Sequence, residues 1–152
     1  MKTKSLLLLS LIFLISCKNE TPKIEISKDE IIKQNIGNKL KGMLKNPDSY
    51  EFVSMDLAQS FTVKERKENI TKANLEEMRE LNKTIPSPDL LDRMETEYSY
   101  LKNQTDDNKI ALYRYNFVAK GTNSFGGIIQ SKYSTDVLND KNYTVLNISK
   151  ND

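Results

Sequence analysis

Histidine and tryptophan are absent from this chain, and one cysteine, five glycines and four prolines are spread over its 152 residues. Without histidine, Ser-His-Asp and Cys-His catalysis, histidine-containing zinc sites and imidazole proton transfer near neutral pH are excluded. Few glycines and prolines exclude collagen-like and low-complexity chains. Neither G-x-S-x-G nor G-x-x-x-x-G-K-[ST] occurs, so a nucleophile elbow around Ser124, Gly126 and Gly127 and a phosphate cradle have no support. The one long apolar run, Ser5 to Ile15, falls well short of the roughly 20 residues that a spanning helix needs. An excess of either charge is missing too. Lys2 and Lys4 precede that run, and the remaining 21 Lys and Arg balance 21 Asp and Glu. A neutral domain has no electrostatic case for nucleic acid.

Against these absences stands an ordinary globular composition, 38% hydrophobic and 29% charged, at a length suited to one domain. Lys2, Lys4 and the apolar run that follows have the layout of a signal peptide over residues 1–16. Leu14-Ile15-Ser16-Cys17 resembles the bacterial lipobox: an apolar residue, a tolerant position, a small residue and the obligatory cysteine. The resemblance implies cleavage between Ser16 and Cys17, with the Cys17 thiolate accepting a diacylglyceryl group and the new amino terminus acylated as well. Two or three acyl chains hold a protein on a bilayer far more firmly than one, each buried methylene contributing about 0.8 kcal/mol. Lys18-Asn19-Glu20 resembles the charged signals that follow the lipidated cysteine in exported lipoproteins, and no Asp follows Cys17 to favour inner-membrane retention. The expected address is the outer membrane, on its periplasmic or its cell-surface face.

After a polar tether to residue 27, Ser27-Lys28-Asp29-Glu30 has the form of a capping box, and Ile32, Ile36, Leu40, Met43 and Leu44 follow at helical spacing, which predicts a helix over 28–45. Gly37 and Gly42 within it suggest close packing or a marginal helix. Asn46-Pro47 stops the helix. Tyr50 to Val63 is rich in β-formers, with Ala58-Gln59-Ser60 a bend or bulge between two pieces. Leu75, Met78, Leu81 and Ile85 predict a helix over 68–84. Ser87 as N-cap and Pro88 as first helical residue start another that carries Leu91, Met94, Tyr98 and Leu101 and closes near Asn103. Alternation from Ala111 to Ala119 predicts a strand, residues 121–127 a loop, Ile128 to Tyr133 a second strand, 136–142 a turn, and Tyr143 to Ile148 a last strand.

Leu44-Lys45-Asn46-Pro47-Asp48-Ser49-Tyr50-Glu51-Phe52 is similar to the L-K-[DN]-P-x-S-x-x-F segment of many small secreted bacterial proteins and lipoproteins, and Asn123-Ser124-Phe125-Gly126-Gly127 to their N-x-[FY]-G-G loop. That resemblance implies a helix joined to a small antiparallel sheet, and no activity. The expected fold is α+β: one domain over 28–152, an N-terminal helix packed on an antiparallel sheet of about four strands, with an antiparallel helical hairpin inserted at about 66–104.

No catalytic, cofactor or metal site is expected. Glu76-Glu77 and Glu95-Glu97 fall on predicted helices at spacings that do not share a face, and read as solvated surface. Asp106-Asp107-Asn108 lacks the rest of a calcium loop and reads as a polar turn. Tyr113, Tyr115 and Phe117, with Phe125 and Tyr133, form either a candidate interaction surface or the core of the sheet. The hairpin either projects towards a partner or folds back on the sheet. The leading expectation is a non-enzymatic envelope lipoprotein, held to the membrane through Cys17, whose partner is an envelope protein or a small ligand. An envelope hydrolase using carboxylates or a Ser/Lys pair, and an inhibitor or immunity-type lipoprotein, are the alternatives.

Overall fold

A computed structural model describes residues 26–151, so the leader, Cys17 and most of the tether lie outside the described residues. Helix α1 (Lys28–Lys41) starts at Ser27, whose hydroxyl accepts the Glu30 N–H as the sequence motif demands. It stops four residues short of the expected end, where the Gly42 N–H closes the last turn on Asn38 and Leu40. Met43, assigned to the buried stripe, is consequently exposed, while Leu44 still reaches the core from the turn that follows. A 3-10 turn (Pro47–Ser49) leads into strand β1 (Glu51–Thr62).

Strand β1 is one piece. The expected break at Ala58-Gln59-Ser60 is a shift of register between Leu57 and Gln59, and a second shift lies between Phe52 and Ser54. Each extra residue restores the alternation, so that Phe52, Met55 and Leu57 oppose Ala119, Phe117 and Tyr115 on one face. At Thr62 the chain turns into a helix that the sequence reading missed, α2 (Val63–Asn69). Thr62 and Glu65 form a reciprocal capping box there, and its hydrogen bonds, the Thr62 N–H first and the hydroxyl second, hold the Glu65 carboxyl below its ordinary range. Helix α3 (Lys72–Thr84) therefore begins from Thr71, not near residue 68. Helix α4 (Pro88–Leu101) begins at Pro88 as expected, but the Ser87 side chain makes no capping bond.

Strands β2 (Ile110–Thr122), β3 (Ile128–Leu138) and β4 (Val145–Asn151) complete an antiparallel four-stranded sheet in the order β1-β2-β3-β4, with α2, α3 and α4 inserted between neighbouring strands. The fold is α+β. Strand β3 runs five residues past the expected end, so Asp136 belongs to a strand and not to a turn. The turn sits at 139–144, where the Asp140 carboxylate accepts the Asn142 and Thr144 N–H groups and the Thr144 hydroxyl. Tyr143, expected in the last strand, takes a left-handed φ of 50° in that turn.

Two layers cover the sheet. On one face, Ile32, Ile36 and Leu40 of α1 pack on Tyr115, Phe117, Ala119, Val137 and Val145, with Tyr50, Met55, Tyr133 and Ile148 at the margin. Gly37 makes that contact close: a Cβ there would lie 3.1 Å from the Tyr50 hydroxyl and 3.2 Å from its ring, which would have to give by a few tenths of an ångström. On the other face, α2 and α4 cover only the end of the sheet near Ile110. Val63, Leu101 and Ala111 form one cluster there, and Leu112, Leu138 and Leu146 another, joined by Tyr100, whose hydroxyl donates to the Asn139 carbonyl. The hairpin thus folds back through α4, and α3 rests on α4.

Charge is buried under α4. Asp136 is 2% exposed and accepts from Arg114, its cross-strand neighbour, at 2.7 and 3.0 Å and from Arg93 of α4 at 2.8 Å. Hydrogen bonding to Asp136 raises the Arg114 pKa above its already high ordinary value. Glu97, expected on solvated surface, is fully buried and gripped by both ends of the Arg66 guanidinium. The Arg66 and Arg114 guanidinium groups lie 5.6 and 5.2 Å from the Phe61 ring. Spacing within α4 locates Glu97 relative to its own helix alone, while α2 supplies the facing arginine. Glu76 is exposed as expected, paired at 3.7 Å with Lys72, and Glu95 pairs with Arg79.

Truncating one partner of a buried pair strands the other charge, which costs about 3–5 kcal/mol. Glu97→Ala is expected to destabilise by that amount in urea unfolding, and Glu76→Ala by less than about 0.5 kcal/mol. Equal effects would contradict the burial assigned to Glu97.

Candidate functional site

The aromatic residues singled out by alternation share one face of the sheet, and that face is mostly core. Tyr115 and Phe117 are 4% and 1% exposed beneath α1 and offer no contact surface. Burial, with smaller effects from Asp29, Tyr113 and Tyr143, pushes the Tyr115 phenol up to about 12. Tyr133 stacks on Phe117 with ring centroids 5.1 Å apart, and Tyr113 carries the Lys28 ammonium 3.4 Å above its ring. Phe125 is separated from all four, standing 96% exposed at the far end of the β2–β3 hairpin. Alternation identified the shared face correctly. It could not show which layer covers that face.

The exposed end of the sheet is built by two segments about 75 residues apart in sequence, the ones that carry the L-K-N-P-D-S and N-S-F-G-G patterns. Pro47 directs the chain into the 3-10 turn, which presents the Ser49 hydroxyl to the Thr122 N–H at 2.9 Å while that hydroxyl donates to the Asn46 carbonyl at 2.7 Å. Asn46 reaches the Thr122 hydroxyl at 3.3 Å and Lys45 the Ser124 hydroxyl at 3.0 Å. Leu44 and Ser49 lie within 3.6 Å of where a Cβ on Gly121 would stand, so the turn packs directly on the strand at that point. The first pattern is therefore the brace of the second.

Beyond the brace, residues 123–127 close on themselves. The Asn123 carboxamide oxygen accepts the Phe125 and Gly127 N–H groups, each at 2.9 Å. The Asn123 N–H donates to the Gly127 carbonyl and the Gly126 N–H to the Asn123 carbonyl. Gly126, at φ 81°, supplies the left-handed step that an L side chain would strain. Phe125, Ile128 and Ile129, the last two 77% and 44% exposed, project from this loop and the start of β3.

Two hollows flank the tip end. One of about 150 Å³ lies behind the tip, lined in part by Leu40, Leu44, Ile129, Asn123, Lys120 and Lys150. The other, about 310 Å³, runs between α1 and the start of β1 over Tyr50 and Phe52, with Lys33 4.9 Å from the Phe52 ring and Lys41 5.4 Å from the Tyr50 ring. The Tyr50 hydroxyl is buried there with no hydrogen-bond partner among the described residues, and burial raises its pKa. The first hollow is lined by neutral polar and basic groups around an apolar floor, and the second adds the Glu30 carboxylate, 3.5 Å from Lys33, around an aromatic one.

Elsewhere most of the candidate carboxylates are engaged, and Glu77 is exposed on α3. Asp107 pairs with Lys67 at 3.0 Å, and Asp106 accepts the Asn108 N–H in the polar turn that was expected. Among the described residues no group of three or more metal-ligating side chains converges, and no helix is long and apolar enough to cross a membrane. No family model matches this chain, and neither the curated proteins nor the solved structures contain a match to it.

Removing the Ser49 hydroxyl leaves the Thr122 N–H without its acceptor. Ser49→Ala is expected to cost about 1–3 kcal/mol in urea unfolding, and Ser124→Ala, which loses only an exposed contact to Lys45, less than about 0.5 kcal/mol.

Proposed function

We propose that this chain is a lipid-anchored protein of the bacterial outer membrane whose α+β domain acts by contact with another envelope component and not by catalysis. The observation that carries the reading is the basic, apolar leader ending in Leu14-Ile15-Ser16-Cys17, with the chain's one cysteine in the obligatory position and no Asp after it. Once acylated, that thiol is no nucleophile. The domain supports a contact role because its buried carboxylates, Glu97 and Asp136, are engaged by Arg66, Arg93 and Arg114, whereas its apolar tip faces solvent on a braced loop.

The test is Cys17→Ala in bacteria fed a labelled fatty acid. The wild-type chain is expected to carry label and to fractionate with outer membranes. The variant is expected to lose the label, keep its leader and leave that fraction. A variant that is still cleaved at Ser16 and still sorted to the outer membrane overturns the reading.

A further inference from the structure

We propose that the Asn123–Ile129 tip is a second membrane contact, in which Phe125, Ile128 and Ile129 enter the interface of an anionic leaflet while the lysines around them hold its phosphates. The proposal rests on the lipid-anchor reading above and adds to it an orientation of the domain. Three observations support lipid over water or a polar partner.

The first is apolar exposure combined with internal polar closure. Phe125 and Ile128 are 96% and 77% exposed, so the tip leaves its most hydrophobic atoms in water. Its polar backbone asks little of water in return, because the N–H groups of Asn123, Phe125, Gly126 and Gly127 all have partners inside the loop. Transfer into a less polar medium is costly for unpaired backbone groups. Here that cost is largely met beforehand.

The second is charge. From the Phe117–Tyr133 level outward, the described residues place Lys33, Lys41, Lys45, Lys120, Lys132 and Lys150 against three acids, Glu30, Asp48 and Glu51. The domain as a whole is nearly neutral, so this end is positive and the helical end is not. Lysine stems lie along apolar surface and carry the ammonium outward, as an interfacial belt requires. The hollow behind the tip, bounded by Lys120, Lys150 and Asn123, opens beside the apolar residues, where a lipid headgroup would meet it.

The third is reach. Lys28, at the start of α1, sits over Tyr113, and nine residues of β2 at about 3.4 Å each separate Tyr113 from Thr122, about 30 Å. The tether therefore leaves the domain at the end opposite the tip. Ten residue steps run from Cys17 to Ser27 and span at most about 33–36 Å, so an extended tether brings an acylated Cys17 to the level of Thr122, from which the tip projects.

The chain contains no tryptophan, so Phe125→Trp makes a single optical probe in the full-length lipidated protein. Reconstituted in vesicles of phosphatidylethanolamine and phosphatidylglycerol, the indole at position 125 is expected to emit to the blue of aqueous tryptophan and to be quenched by lipids brominated on the upper acyl chain. The indole of a separate Leu81→Trp variant, on α3, is expected to remain open to aqueous iodide. Lys45→Gln and Lys132→Gln should each lower the inserted-to-free ratio about fivefold, from roughly 1 kcal/mol per basic residue near an anionic surface. Replacing phosphatidylglycerol by phosphatidylcholine should do the same or more. Flotation with the vesicles while the indole at position 125 emits as in water overturns the tip contact and leaves the anchor standing. Failure to float overturns both. Equal quenching at positions 125 and 81, or crosslinks from position 125 to protein alone in intact cells, also overturns the proposal.

Discussion

The pleat of β2 is the constraint on which the rest of the molecule depends. Residues 111–119 are asked to serve two cores at once, with Tyr115, Phe117 and Ala119 turned to α1 and Leu112 and Arg114 to α4. Because side chains alternate strictly, a one-residue slip would exchange the two sets. The neighbouring strands must then match β2 to the residue. Strand β3 does so without irregularity along its whole length, and β1 does so by inserting extra residues near Val53 and Ala58 and by a further shift at its end, between Phe61 and Thr62. The same arithmetic places Asp136 directly opposite Arg114 on the face that α4 covers, which is how an ion pair comes to be inside.

The two ends of the sheet are consequently different in kind. Near Ile110 both faces are covered, and specificity comes from buried charges paired with one another: Glu97 with Arg66, and Asp136 with Arg93 and Arg114. Such pairs contribute little net stability compared with apolar residues of the same shape, yet each member is costly to lose. Near Thr122 no helix among the described residues covers the face opposite α1, and the sheet is steadied by the Asn46–Ser49 brace along one margin. That end keeps polar atoms paired and leaves apolar ones exposed, an arrangement suited to contact with a surface.

Much of this was legible in the chain. Ser27 and Pro88 mark helix starts by local mechanisms that tertiary packing did not alter, whereas the first helix ends at Gly42 before Pro47 is reached, and the alternation of Ala111 to Ala119 reports a strand with one apolar face. The failures share a cause. Thr62-x-x-Glu65 is a capping box, but Phe61 and Val63 beside it are strong β-formers, and only the Val63 and Lys64 N–H bonds to Lys109 and Asp107 show how the helix begins against β2. Glu97 and Asp136 look like surface charges because the arginines that bury them come from distant segments. The brace was visible as two patterns, although nothing in either one says that they touch.

The central claim is that the tip is a built and rigid surface, not a loose loop that happens to carry a phenylalanine. Its most direct measurement is backbone ¹⁵N relaxation at Phe125, Gly126 and Gly127. The account predicts order parameters close to those of the flanking strands, about 0.85. Values below about 0.6, the range of flexible loops, would mean that the Asn123 hydrogen bonds do not hold the tip in shape, and would contradict it.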